Sequence, residues 1–225
     1  MSPYFKNLLR GLRKVIGVTV LKYFDPFKVI AKQAVKDGYL EKDPFLYVDL
    51  RIKPTKGKRV YLEVEEIAQL KKAKLPSDRG DLEEIRVYWL FCFYASFYYS
   101  DLRNLKWVDV KNTEYGYCLV ADRFKNENTF IAPIHKFPMA IQIIEKQKGM
   151  HLDLVFPDAI SEQKYNSKLK ELAMFAGINK NLMNKTARHS SIQFWEAQGL
   201  ETKHTAKIAG HSKKSTTQGV FRAIC

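Results

Sequence analysis

Apolar residues recur along this chain with two different periods, and the change of period lays out its elements. Between Pro3 and Ile16, Phe5, Leu8, Leu9, Leu12 and Ile16 fall on one face of a helix, with Lys6, Arg10, Arg13 and Lys14 opposite. Asp25 followed by Pro26 reads as the N-cap and first position of a second helix, which Gly38 closes. Tyr61 and Leu62 lead into a helix over 64–72 with Ile67 and Leu70 inward, and a longer, largely apolar helix runs from Asp81 to Ala95. Ser100 is the expected N-cap of a short helical piece through Leu105. The period then drops to two, giving strands at 107–110, 117–121 and 129–134 with a turn over 112–116. Helical spacing returns at about 137–147, 162–176 and 187–198, and Gly177 and Gly199 stop the last two. The chain has no internal repeat and no low-complexity tract. Helices, a small antiparallel sheet and helices again make it mainly α with a β insert, an α+β chain.

The polar, basic stretch Lys53-Pro54-Thr55-Lys56-Gly57-Lys58-Arg59 interrupts this order and reads as a linker over 53–59. It separates a short helical N-terminal domain, 1–52, from a main domain, 60–225. At 46% apolar residues the chain has enough material for a core, and no apolar run reaches the length that spans a bilayer. The N-terminus lacks the apolar stretch and small-residue cleavage site of a signal peptide. Cys92, Cys118 and Cys225 lie far apart, without metal-ligand spacing, which fits a reducing cytoplasm and implies neither a metal nor another cofactor.

Charge changes the picture most. The net charge is +14, and it is uneven: 1–58 holds 13 Lys/Arg against 5 Asp/Glu, 59–163 holds 14 against 16, and 164–225 holds 11 against 3. Two basic ends around a near-neutral middle suggest a surface that distant segments build for nucleic acid. The plainer reading is a soluble basic protein with solvated lysine faces.

Three stretches carry more specific information: Tyr99-Ser100-Asp101-Leu102-Arg103-Asn104-Leu105-Lys106-Trp107, the segment from Gln163-Lys164-Tyr165-Asn166 to Gly177-Ile178-Asn179-Lys180, and Thr186-Ala187-Arg188-His189 through Gly210-His211-Ser212 to Val220-Phe221. Together they resemble the tyrosine recombinases, the phage-integrase family, and especially those of mobile elements of Bacteroides-type bacteria. In outline the likeness covers 39–222. It implies a recombinase catalytic domain preceded by a short or truncated helical core-binding (SAM-like) domain. In that family a tyrosine attacks a phosphodiester, two arginines neutralise the charge developing on phosphate, a hairpin lysine protonates the leaving oxygen, and two histidines assist.

Arg188 and His211 are 23 residues apart and Val220 follows His211 by nine, both equal to the family spacing. The resemblance therefore puts the second arginine on Arg188, the Gly-His-Ser histidine on His211 and the hairpin lysine on Lys125. It also marks three departures: Tyr98 stands for the first arginine, Lys185 for the histidine three before Arg188, and Val220 for the nucleophile. Plainer roles exist for each retained group. Lys125 is also consistent with a solvated hairpin lysine, Arg188 with a surface charge at a helix start, and His211 with a turn cap. His189 reads as a structural helix residue and Tyr98 as core packing beside Phe97 and Tyr99, with Arg103 on a different helical face. No tyrosine follows Tyr165, so a register slip in the last helix restores no nucleophile.

The expectation is a DNA-binding member of the family that does not cut alone. Lys185, Arg188, Lys125, Lys58, Arg59, Lys213 and Lys214 are the expected phosphate contacts, with Lys203, Lys207 and Arg222 nearby in sequence. The expected partners are double-stranded DNA and, through the C-terminal helix, itself or an intact recombinase, with no membrane and no small-molecule substrate. Two other functions stay open: recombination with a partner that supplies the tyrosine in trans, and a fold reused for protein–protein contact.

Overall fold

The structure is a computed structural model that describes residues 17–46, 59–122 and 129–210. The chain divides between Lys58 and Arg59 into two units. The helix expected over 3–16 lies outside the described residues.

In the first unit a single helix, α1 (Gly17–Lys36), runs through Pro26, so the N-cap expected at Asp25 is not there. Proline removes only the bond that residue 26 would donate to residue 22. A 20-residue helix has nucleated turns on both sides of that gap and carries across it. Asp25, Pro26 and Phe27 are exposed, so the proline ring lies on the solvent side of the helix. The helix ends at a glycine: Gly38 adopts φ 78°, Tyr39 N–H donates to Ala34 O at 2.8 Å and Gly38 N–H to Val35 O at 3.2 Å. This pair of bonds satisfies the last carbonyls, and only glycine takes that φ without strain. Phe45 then packs edge-on against Phe24 at 5.0 Å between centroids.

The second unit is built around α3. After α2 (Val64–Lys72), which buries Ile67 and Leu70, α3 spans Gly80–Tyr94 and buries Leu82, Ile85 and every residue from Tyr88 to Tyr94. A helix apolar on every side must be enclosed, and α3 packs against α2, α4 (Tyr99–Arg103), α5 (Pro138–Gln147), α6 (Glu162–Phe175) and α7 (Thr186–Ala197). At its exposed start Arg79 and Lys168 hold the Asp81 carboxyl well below the usual range, chiefly through the hydrogen bond from Arg79, and Arg79 also reaches Glu171 on α6.

The short helix α4 is capped by Tyr98 rather than by Ser100. Asp101 Oδ2 accepts the Tyr98 N–H at 2.8 Å, so the acid three positions on fixes the helix start and Ser100 falls inside the first turn. The sheet is antiparallel in the order β1 (Val110–Thr113), β2 (Gly116–Asp122), β3 (Thr129–Ala132). The first strand starts later than its residues suggest. Trp107–Asp109 is a 3-10 turn, because Asp109 Oδ2 takes the Lys106 N–H at 3.1 Å and winds the backbone locally. The third strand stops at Ala132, since Pro133 has no N–H for the ladder. Leu119 faces Ala132 and Asp122 faces Thr129, so the hairpin that leads towards Lys125 is in register up to its described ends. The last described helix, α8 (Thr202–Ile208), packs on β3 and on α7.

Candidate nucleic-acid interface

Helix α7 positions the site, and its buried face is polar. Thr186, Arg188, Ser190 and Ser191 are buried there beside Ala187 and Trp195. Small side chains let the helix press close to its neighbours, and each polar group then needs a partner. Ser190 Oγ donates to Thr186 O at 2.8 Å and accepts the Leu62 N–H at 2.8 Å. Ser191 Oγ meets Ser96 Oγ at 2.5 Å. His189 Nδ1 lies 3.3 Å from Val60 O, to which it donates. Burial pushes the His189 pKa below its usual value, and the nearby Arg59, Arg188 and Lys185 push it further. Its ring joins α7 to the backbone at Val60.

Arg188 is the centre of this arrangement. Its side chain sits in the first turn of α7, with the residue only 1% exposed. One Nη donates to Ser96 O at 2.8 Å and the other to Ala209 O. Its guanidinium carbon lies 4.4 Å from the centre of the Tyr98 ring. Ser96 itself holds φ 53°, the left-handed region, at the end of α3. Phe97 N–H donates to Cys92 O at 2.8 Å and Ser96 N–H to Phe93 O at 3.3 Å, so a serine occupies the C-terminal turn position that usually takes glycine. A serine there is strained by about 1–2 kcal/mol, and its carbonyl and hydroxyl are both gripped by α7.

The structure thus brings together Tyr98, Arg188 and the Ala209–Gly210 turn that leads into His211. Tyr98 is half-buried and stacks on Arg188, which differs from the packing role expected beside Phe97 and Tyr99. Arg103 is exposed at the end of α4. Lys185 and Arg59 are both exposed, beside the first turn of α7, whose N-terminus carries no acidic residue. That helix end and two cations favour an anion. Lys203 pairs with Glu201 at 2.7 Å. Lys58, Lys125, His211, Lys213, Lys214, Val220 and Arg222 lie outside the described residues.

Tyr99 and Tyr165 are buried in the core. Tyr99 and Tyr165 stack with centroids 3.7 Å apart, and Tyr99 donates to Ile160 O at 3.0 Å. Burial raises both hydroxyl pKa values far above the usual tyrosine range. Sequence reading missed Ser96, Ser190 and Ser191. The serine pair after His189 was visible as small polar residues in a helix, whereas nothing local marks Ser96 as a left-handed residue. Among the described residues no cluster of His, Cys, Asp or Glu is placed to hold a metal ion, and no helix is long and apolar enough to cross a membrane.

No family model matches the sequence, and no curated protein matches it closely enough to count as a relative. Solved structures do match the fold. A Tn1549 transposon integrase in complex with circular intermediate DNA is 14% identical, with a TM-score of 0.66 over 97% of this chain and 82% of its own. A lambda integrase dimer bound to a COC′ core site is 12% identical, with a TM-score of 0.70 over 97% of this chain and 77% of its own. The XerH site-specific recombinase bound to a difH substrate gives 16% identity and a TM-score of 0.53 over 81% of this chain and 57% of its own. The mostly helical second unit with its three-stranded antiparallel sheet has the tyrosine recombinase catalytic-domain fold.

Proposed function

We propose that this chain binds duplex DNA in the manner of a tyrosine recombinase catalytic domain and does not cleave it alone. The observation that carries this reading is the pairing of exposed cations, Lys185 and Arg59 at the start of α7, with Tyr98 where the resemblance expects an arginine. Phosphate contact needs only positive charge at the right surface, and Lys and Arg exchange there at small cost. Strand cleavage needs a nucleophile as well, and valine at position 220 has no atom that attacks phosphorus. Losing one oxyanion donor of the kind an arginine supplies costs ~2.7–4 kcal/mol of transition-state stabilisation. The DNA complexes of the Tn1549 and lambda integrases support the choice of duplex DNA as the partner.

The test is a duplex carrying a nick near its centre, which traps a covalent protein–DNA product if cleavage occurs. A retarded band in a native gel that disappears entirely in detergent is the expected result. A detergent-resistant adduct containing this chain, with or without a second recombinase present, would overturn the non-cleaving part. No retarded band at low salt would overturn the binding part.

A further inference from the structure

An arginine that contacts phosphate presents the edge of its guanidinium to the incoming oxygens, often two bonds at a time. Arg188 does not present one. Its two Nη atoms are turned on carbonyls from separate segments, Ser96 at the end of α3 and Ala209 after α8, and the Tyr98 ring lies over its face at 4.4 Å. Tyr98 is held in turn by its own N–H on Asp101. A phosphate entering here must displace the ring and strip two buried carbonyls of a charged donor. Ser96 adds a second lock. Its left-handed backbone persists because the surroundings fix it from both sides, Arg188 on the carbonyl and Ser191 on the hydroxyl.

We propose that Tyr98 is the cover of a closed oxyanion site: its ring seals Arg188 inside the fold, where the arginine ties α7 to two turns, and the duplex is held by the exposed cations around it instead. The proposal rests on the DNA-binding reading for its last clause only. Arg188 then has a positional role in a chain without a nucleophile, since its guanidinium joins α7 to the turns at Ser96 and Ala209. Tyr98 is a positioning residue in this sense: it acts on Arg188 and never on DNA.

Inorganic phosphate separates the cover from the DNA reading, because it needs only the site. Phosphate is titrated against chloride at constant ionic strength while the unfolding midpoint of the full chain is followed. The wild type and Tyr98→Phe, which keeps the ring, are expected to share one response, set by the exposed cations at the start of α7 alone. Tyr98→Ala, and Tyr98→Ser as a second variant should the first fail to fold, are expected to show a larger saturable rise. A rise in the folded variants no larger than that of the wild type overturns the proposal. In a parallel duplex titration, the salt slope of Arg188→Met is expected to equal that of the wild type. A slope shallower by about one, the loss of a single phosphate contact, overturns the proposal even if the phosphate arm succeeds. Failure of the wild type to bind duplex removes the DNA reading and leaves the phosphate arm to decide the cover.

Discussion

Ser96, Ser191, Arg188 and His189 show how single side chains hold this fold at points the hydrophobic pattern does not reach. The hydroxyl pair Ser96–Ser191 lies in the core at 2.5 Å. Removing a buried hydrogen-bond partner typically costs ~1–3 kcal/mol. Ser191→Ala should lower the unfolding free energy by that amount in a urea titration; a change within the scatter of surface substitutions would show that the pair does not hold the turn. The histidines make a second prediction. Burial lowers the pKa of His189, with Arg59, Arg188 and Lys185 acting the same way against the bond to Val60, and burial lowers that of His135, with Lys136 against the bond to Tyr117. The unfolded chain, with imidazoles near the ordinary value of about 6.5, then binds more protons than the folded one. Stability is complete above that value and is lost as pH falls through the lower folded values. The urea midpoint should drop between neutral pH and pH about 5, above the range where carboxylates protonate, and replacing both histidines by Gln should flatten the drop. A midpoint that rises on acidification would contradict it. Of these residues the sequence singled out Arg188, by its spacing to His211. Its burial was not, because a charge at a helix start gives no local sign of which way it points.

At the scale of elements, the apolar pattern located α2, α3, α5, α6 and α7 well, since a helix that packs on a core leaves a repeat of inward residues such as Ile67 and Leu70. It erred where one local hydrogen bond decides the outcome. Asp101 moved the cap of α4 to Tyr98, Asp109 turned the start of the first strand into a 3-10 turn, and α1 continued through Pro26 because a long helix tolerates one missing bond. The β1–β2 turn offers the clearest test. Gly116 has φ 106°, and a Cβ added there would stand 2.8 Å from His135 Cβ. Gly116→Ala meets both a backbone penalty and a clash with the segment that follows β3, and should cost at least ~1–3 kcal/mol. The measurement is the unfolding midpoint, and an unchanged value would mean that the turn is not built on this contact.

For the whole molecule, charge and fold point the same way although no sequence relative leads to either. The net positive charge lies at the two ends of the sequence while the near-neutral middle supplies α3 and the sheet. In the second unit the start of α7 joins its two exposed cations, Arg59 and Lys185, to one helix N-terminus, although 126 positions separate them in the sequence. Sequence alone conveyed the charge and the family resemblance; it did not convey that Tyr98 and Arg188 meet across the left-handed turn at Ser96, which nothing local in the sequence marks. The most direct test is the affinity for a duplex measured over a series of salt concentrations. A straight fall of log affinity with log salt is expected, and its slope should become shallower by about 0.9 for each of Lys185→Ala and Arg59→Ala. An affinity indifferent to salt, or slopes unmoved by either substitution, would contradict a grip made by these cations on DNA phosphate.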